Sequence, residues 1–477
     1  MKAIDLNKVN KMFFSGIGGI GTSSIAKFMY KSKKQVSGSE LVNSEIVEQL
    51  KKLGIKIVIG QKAENIKKDI DLFVYSPALP YNHAERQAAR KLKIPEISYS
   101  EILGLLSKEY NTIAISGTHG KSTTTAITGS IFEYAKKDPN VIIGSKLKQW
   151  HGNMRMGKSN ILIAEACEWK AHFLELHPNT ILINNIELDH PDFFKSEQDM
   201  INTFQKFVKK LKKKDLLIIN ADCKQCKTIK TKSKIFKFGI KTKADLIAKN
   251  IKIKNQKQSF DLYLNNKLLT NIETHLPGII NIYNILGSIS IAINYGVDIN
   301  SIKESASKFD GLWRRFDRVG YFDSKNKFNL IKDINKVDFK NTKLLISDYG
   351  HHPTAIKQTL KAVKEFYPNK KVILAFQPHE HTRTKVLLKQ YINAFDIADF
   401  VILEEIYTVP GRESKKEIEL ISSEEVIKKI KKHNPKLNIV YAPDNTSVKS
   451  LIKSNLKKDS IVIVMGAGAI YNIIKEL

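Results

Sequence analysis

The chain holds 477 residues, 42% hydrophobic and 26% charged, with a formal net charge of +30. That length excludes a single ordinary core, and the composition excludes a disordered or fibrous chain. Only 8 of the 78 basic residues are Arg; the Lys are spread among Ile and Asn along the whole chain. This pattern reads as solvated faces and not as a nucleic-acid groove, which would concentrate Arg and interleave aromatics.

The first expected strand, Lys11–Ser15, runs into Gly16-Ile17-Gly18-Gly19-Ile20-Gly21. Gly16, Gly18 and Gly21 have the GxGxxG spacing that seats a pyrophosphate on a helix N-terminus, and Glu40 stands where a ribose-binding acid would lie. By itself this motif does not separate NAD, FAD and other diphosphates.

A second strand, residues 112–116, enters Gly117-Thr118-His119-Gly120-Lys121-Ser122-Thr123. Glycines let backbone N–H groups approach phosphate oxygens, and the following helix points its positive end at them. Lys121 would neutralise the β and γ phosphates and the Ser122 hydroxyl would bind magnesium. Ile115 stands where the longer phosphate loop has its first glycine, so this is the shorter GTxGK[ST] form.

Two more strand ends carry acids. Residues 161–163 lead to Glu165, Cys167 and Glu168, and Thr180–Ile183 leads to Asn184-Asn185 and Glu187 through Asp192. Carboxylates and a histidine beside a phosphate loop suit magnesium. Cys223 and Cys226 form one CxxC, with no second pair at zinc spacing, so neither a zinc site nor a disulfide framework is expected. A reduced cytoplasmic chain fits best, and the N-terminal residues lack the apolar run of a signal peptide. The apolar stretch 276–297 is broken by Asn281, Asn284, Gly287, Ser288 and Asn294. It is expected to be a buried helix, not a membrane span.

Arg314, Arg315 and Arg318 cluster before the third strand, residues 343–347, which enters Asp348-Tyr349-Gly350-His351-His352-Pro353. In a Lys-rich chain, retained Arg suggests forked recognition of phosphate or carboxylate. β-Branched runs at 372–376, 400–403, 439–442 and 461–465 continue the strand pattern, and His379 and Arg383 follow the first of them. Alternating strands and helices imply parallel sheets in an α/β fold. Domains are expected at 1–107, 108–312 and 313–477.

In order and spacing these segments resemble the Mur ligase family, over about residues 11 to 473. The resemblance implies a three-domain α/β architecture: a Rossmann-like N-terminal domain, a central P-loop ATPase domain and a Rossmann-like C-terminal domain. It implies ATP at Gly117, Thr118, His119, Gly120, Lys121, Ser122 and Thr123, with Asn281, Asn284, Arg315 and Asp348. Lys121, Glu165 and His190 would be catalytic, and Ser122, Glu165 and His190 would serve Mg2+. Within the family, FSGIGGIGTSSIA, EACEWKAHFLELHP, NNIELDHPDFF, DYGHHPT and FQPHEHTRT are similar to the branch that adds L-alanine to UDP-N-acetylmuramate. The UDP-sugar would then meet Gly16, Gly18, Gly19, Gly21, Ser39 and Glu40. His351, His379 and Arg383, on the third domain, are the expected amino-acid site. Three positions depart from the family pattern: Ile280 for His, Glu380 for Arg and Glu40 for Asp. A family member that recycles a tripeptide, a P-loop NTPase that binds nucleic acid and a dehydrogenase remain as alternatives. The last leaves the Lys121 loop unexplained.

Overall fold

The structure is a computed structural model and describes residues 4–331, 337–338, 342–409 and 413–477. These divide into two compact units. The first holds Met1–Ile186, Ile201–Asp245 and Ile285–Ser305; the second holds Glu187–Met200, Leu246–Asn284 and Ala306–Leu477.

Two sheets build the first unit. One is parallel, in the order Lys56–Ile59, Gln35–Glu40, Lys11–Ser15, Leu72–Tyr75, Glu96–Ser98. The runs KMFFS and LFVY are buried because helices cover both faces of such a sheet. Strand order reverses where Lys11–Ser15 meets Leu72–Tyr75, and the glycine turn leaves the sheet there. The other sheet runs Lys234–Gly239, Leu216–Asn220, Thr180–Ile183, Asn111–Ser116, Ile161–Glu165, Asn140–Leu147, Gly152–Arg155. Its pairs are parallel except the last, which is antiparallel. The three strands at its middle therefore end side by side, at Ile183, Ser116 and Glu165.

The second unit contains an antiparallel meander, Leu246–Lys254, Lys257–Leu264 and Lys267–Thr274. Its seven-stranded sheet has the order Phe328–Leu330, Asp317–Phe322, Lys343–Asp348, Ser460–Met465, Lys371–Phe376, Phe400–Glu404, Ile439–Ala442. Asp317–Phe322 is antiparallel to both its neighbours, and the remaining pairs are parallel. Apolar clusters cover both faces, one around Leu374, Phe376 and Phe395 and one around Ile402, Val462 and Ile473. The apolar stretch with the asparagines forms the helix Ile279–Asn294. Among the described residues no helix is long and apolar enough to cross a membrane.

Each of the seven described arginines has a partner for its forked head; Arg412 lies outside the described residues. Arg86 and Arg90 pair with Glu96 at 3.1 and 2.8 Å and lie over the rings of Tyr75 and Tyr81. Arg155 joins Glu133 and Asp138 at 3.1 and 2.7 Å. Arg318 donates to the Tyr367 hydroxyl at 3.2 Å and the His275 carbonyl at 2.9 Å. Arg314, Arg315 and Arg383 belong to the candidate site.

One buried acid in the second unit is out of keeping with its surroundings. Glu404 ends its strand with Oε2 buried and without a hydrogen-bond partner. Burial first, then the negative charges of Asp444 and Glu405, pushes its carboxyl up to about 8. A raised carboxyl pKa contributes stability that is complete below the ordinary carboxylate range and is lost as pH rises through about 8. Glu404→Gln is therefore expected to raise Tm by an amount that grows from about pH 5 to about pH 9. Equal gains at both ends of that range would show that ionisation of Glu404 is not the cause.

Candidate active site

The central loop is built by the strand Asn111–Ser116 and the helix Lys121–Tyr134. Gly117 has φ +130°, and a Cβ there would lie 3.0 Å from the Asn185 carbonyl oxygen, so this position requires glycine. Asn185 holds the loop from the neighbouring strand end. Its carbonyl accepts from Thr118 N at 3.1 Å, its Oδ1 accepts from His119 N at 2.8 Å, and its Nδ2 donates to the His119 carbonyl at 3.1 Å. Gly120 caps the helix. The first helical turn, with Ser122, Thr123 and Thr124, is buried, and Thr124 Oγ1 accepts from Asn184 at 2.9 Å.

Lys121 curls over this loop. Its ammonium donates to the carbonyls of Gly117 and Thr118 at 2.7 and 3.1 Å and pairs with Glu168 at 2.8 Å. Burial works against the charge, but Glu168 outweighs it and raises the Lys121 pKa, so the ammonium stays protonated. Ser122 Oγ donates to Glu165 Oε1 at 3.1 Å, while Glu165 Oε2 accepts from Gly144 N at 2.7 Å. A hydroxyl and a carboxylate so placed are the hard oxygen donors that magnesium takes.

In the first sheet's turn, Gly16 has φ +73°, and a Cβ there would come within 2.9 Å of Ser76 Cβ. Gly19 caps the helix Ile20–Lys31, and Gly21 lies against the ring of Tyr99. Glu40 turns back onto the glycine turn: Oε2 accepts from Gly18 N and Oε1 from Leu41 N, both at 2.8 Å. A ribose contact would share this carboxylate with those amides. Ser39 Oγ donates to buried Glu85 at 2.7 Å, and Ser15 and Asn65 also donate to that carboxylate.

Sequence reasoning missed Glu85, Asn153 and Lys27, and the pairing of Glu168 with Lys121. Asn153 Nδ2 donates to Ser23 Oγ at 2.9 Å and also to the Ile20 carbonyl, while its Oδ1 accepts from buried Lys27 at 3.3 Å. These bonds tie the glycine-turn helix to the strand Gly152–Arg155. Glu168 lay within a stretch already noted for its acids, but its pairing with Lys121 spans 47 positions and leaves no local signal.

In the second unit, Asp348 is buried; it accepts from Gly350 N at 2.7 Å and Phe316 N at 3.0 Å. Burial is the main cause of its raised pKa. Arg315 lies over the Tyr349 ring at 4.7 Å. Arg314 is held among Trp313, Tyr349 and Tyr471 at 5.4, 4.9 and 4.9 Å, and donates to the Gly466 carbonyl. Asn281 donates to the Pro277 carbonyl at 2.7 Å and accepts from Asn284 at 3.0 Å in the first turns of its helix.

Arg383 is 3% exposed. Its Nε pairs with Asp189 at 3.1 Å, Nη2 donates to His190 Nδ1 at 2.8 Å, and Nη1 lies 3.7 Å from Glu380 and 3.5 Å from His379 Nδ1. Burial opposes the charge of Asp189, yet Arg383 and then His190 hold its carboxyl well below the usual range. The lone pair of His190 Nδ1 is thus taken, which puts its neutral-state proton on Nε2. His351 is different. Its Nδ1 donates to the Tyr349 carbonyl at 3.2 Å, and its Nε2 is buried with no hydrogen-bond partner. Burial, then Arg383, holds it neutral, far below the usual histidine pKa. Its Nε2 is therefore a vacant acceptor.

A glycine–lysine loop at the end of a parallel strand, in a chain that holds two further α/β sheets, defines a multi-domain nucleotide-using enzyme. Family models match in series: "Mur ligase family, catalytic domain" at residues 12–111, "Mur ligase middle domain" at 115–292, and "Mur ligase, glutamate ligase domain" at 334–468. The UDP-N-acetylmuramate–L-alanine ligase of Clostridium novyi is 37% identical over 98% of this chain and 97% of its own. The enzyme of that name from Caldanaerobacter subterraneus is 34% identical over the same shares. The crystal structure of UDP-N-acetylmuramate-alanine ligase from Thermotoga maritima superposes with a TM-score of 0.80, at 24% identity, over 98% of this chain and 97% of that one. A murein peptide ligase from Psychrobacter arcticus gives 0.71 at 20% identity over 98% of each. These two likenesses concern the fold. The chain belongs to the Mur ligase family, with its three-domain α/β architecture.

Proposed function

We propose that this chain joins L-alanine to the lactyl carboxylate of UDP-N-acetylmuramate at the expense of ATP, through an acyl phosphate, as a cytoplasmic step of peptidoglycan synthesis. The observation that carries the reading is the loop Gly117–Ser122, with Lys121 over it and Ser122 bonded to Glu165. Full-length identity of 37% and 34% to two L-alanine ligases supports the choice within the family. Boundaries near residues 107 and 312 remain our proposed limits of the three domains.

A carboxylate is a poor acyl donor because oxide is a poor leaving group; phosphorylation supplies a good one. Loop N–H groups and Lys121 would meet the phosphates, with Thr118, His119 and Thr123 lining the turn and Asn281, Asn284, Arg315 and Asp348 serving the rest of ATP. Magnesium, served by Ser122, Glu165 and His190, would neutralise charge on the transferring phosphoryl group. The glycine turn, with Gly16, Gly18, Gly19 and Gly21, would seat the UDP pyrophosphate, and Ser39 and Glu40 the adjoining ribose. His351 Nε2 would accept a hydrogen bond from the L-alanine amine, with His379 beside it.

Phosphate release measured with each substrate omitted in turn tests the reaction. Release should require ATP, UDP-N-acetylmuramate and L-alanine together. Preference for a tripeptide over L-alanine, or release driven by DNA or RNA, would overturn it.

Arg383 is proposed to hold the L-alanine carboxylate, which would have to share a guanidinium now engaged by Asp189 and His190. Arg383→Ala is then expected to raise KM for L-alanine by roughly ten- to a hundredfold, and far less for the other substrates. A fall in kcat at unchanged KM would assign Arg383 to holding His190 instead.

A further inference from the structure

The ligation reading makes no use of Cys223 and Cys226. Both lie just after the strand Leu216–Asn220, in a turn fixed by its own backbone. Ala221 N donates to the Phe238 carbonyl at 2.7 Å, and the Asp222 carboxylate collects the N–H groups of Ile240, Lys241 and Thr242 at 2.6, 3.0 and 2.7 Å. Within this turn Cys226 N donates to Cys223 Sγ at 3.3 Å. Cys223 Sγ also donates to Gln225 Oε1 at 3.8 Å, and both thiols lie beside the backbone of Ile186. Cys226 is fully buried, whereas Cys223 is partly exposed.

Ile186 follows Asn184 and Asn185, which hold the nucleotide loop and its helix through Thr118, His119 and Thr124. The dithiol is therefore one residue from the clamp of that loop. We propose that Cys223 and Cys226 are a reversible modification site, closed by a hydroperoxide to an intramolecular disulfide, and that closure weakens the grip of residues 184–186 on the nucleotide loop. This consequence rests on the assignment of Gly117–Ser122 to ATP.

The chemistry balances. The Cys223 thiolate attacks a peroxide oxygen, the O–O bond breaks, and water leaves after taking up protons. Cys223 is now a sulfenic acid. The Cys226 sulfur attacks it and loses its proton, the S–O bond breaks, and a second water departs. Two thiols and one hydrogen peroxide become one disulfide and two waters. The partly exposed residue, Cys223, is the one that meets the oxidant, and the buried Cys226 resolves it. The titration order agrees: the hydrogen bond from Cys226 lowers the Cys223 thiol to about 7, while burial raises that of Cys226. Closing the bond moves both sulfurs, which lie beside the Ile186 backbone, and so disturbs the segment that carries Asn184 and Asn185.

The full chain treated with hydrogen peroxide should lose two hydrogens by mass, on the peptide that holds Cys223 and Cys226. Its KM for ATP should rise roughly two- to tenfold, the scale of one lost hydrogen bond. Dithiothreitol should reverse both changes, and Cys223→Ser and Cys226→Ser should each keep the unoxidised KM under peroxide. Absence of the disulfide, or a disulfide with unchanged KM for ATP while Lys121→Ala is inactive, overturns the proposal. Normal turnover by Lys121→Ala would instead overturn the ATP assignment, which the mass measurement does not depend on.

Discussion

Lys121→Ala is expected to lower the ligation rate by on the order of a thousandfold while the UDP-sugar still binds. In the structure the three ammonium protons go to two loop carbonyls and to Glu168. Incoming phosphate oxygens would draw the same protons. The substitution has a second effect. Glu168 is 1% exposed, and loss of its cation leaves a buried, uncompensated carboxylate at a cost of about 3–5 kcal/mol. The double variant Lys121→Ala/Glu168→Gln separates the two: unfolding stability should return while turnover stays lost. Near-normal turnover in either variant would remove the phosphate-loop assignment.

Glu165→Gln should have the next largest effect, a fall of roughly a hundredfold or more in kcat together with a higher magnesium requirement. The amide keeps the size of the side chain and an oxygen for Ser122, but loses the charge. It also turns an NH2 group toward one of two donors, Ser122 Oγ or Gly144 N, so one hydrogen bond becomes a repulsion. Titrating magnesium at saturating ATP distinguishes the two losses. A rate that recovers at high magnesium marks weakened coordination. Unchanged rate and unchanged magnesium dependence would make Glu165 a structural acid.

Much of this site was legible before any coordinates, and the reason is local. Lys11–Ser15 and Thr180–Ile183 have the bounds read from sequence, since strands buried on both faces are continuous apolar runs. The loop at Lys121 has a fixed spacing because its backbone must wrap a phosphate. The meander Leu246–Thr274 was not foreseen. Much of its middle, such as Lys249, Asn250, Lys252 and Lys254, faces solvent, so its Lys and Asn look like any surface segment. Partners set by tertiary structure were also invisible. Nothing near Ser15 or Ser39 announces Glu85, and nothing near Ile20 announces Asn153. That Asp189 and His190 meet Arg383 is likewise invisible in the sequence.

The arginines carry one more lesson. Of the 78 basic residues, 70 are Lys (78 minus 8 Arg), so nearly all the positive charge is a simple ammonium. The seven guanidinium groups among the described residues have two or more directional partners or an aromatic face. The chain thus behaves as a record of a substitution experiment already performed. Exchanging Lys for Arg on its open faces would be silent. The reverse exchange at these positions would strike geometry that a point charge does not reproduce.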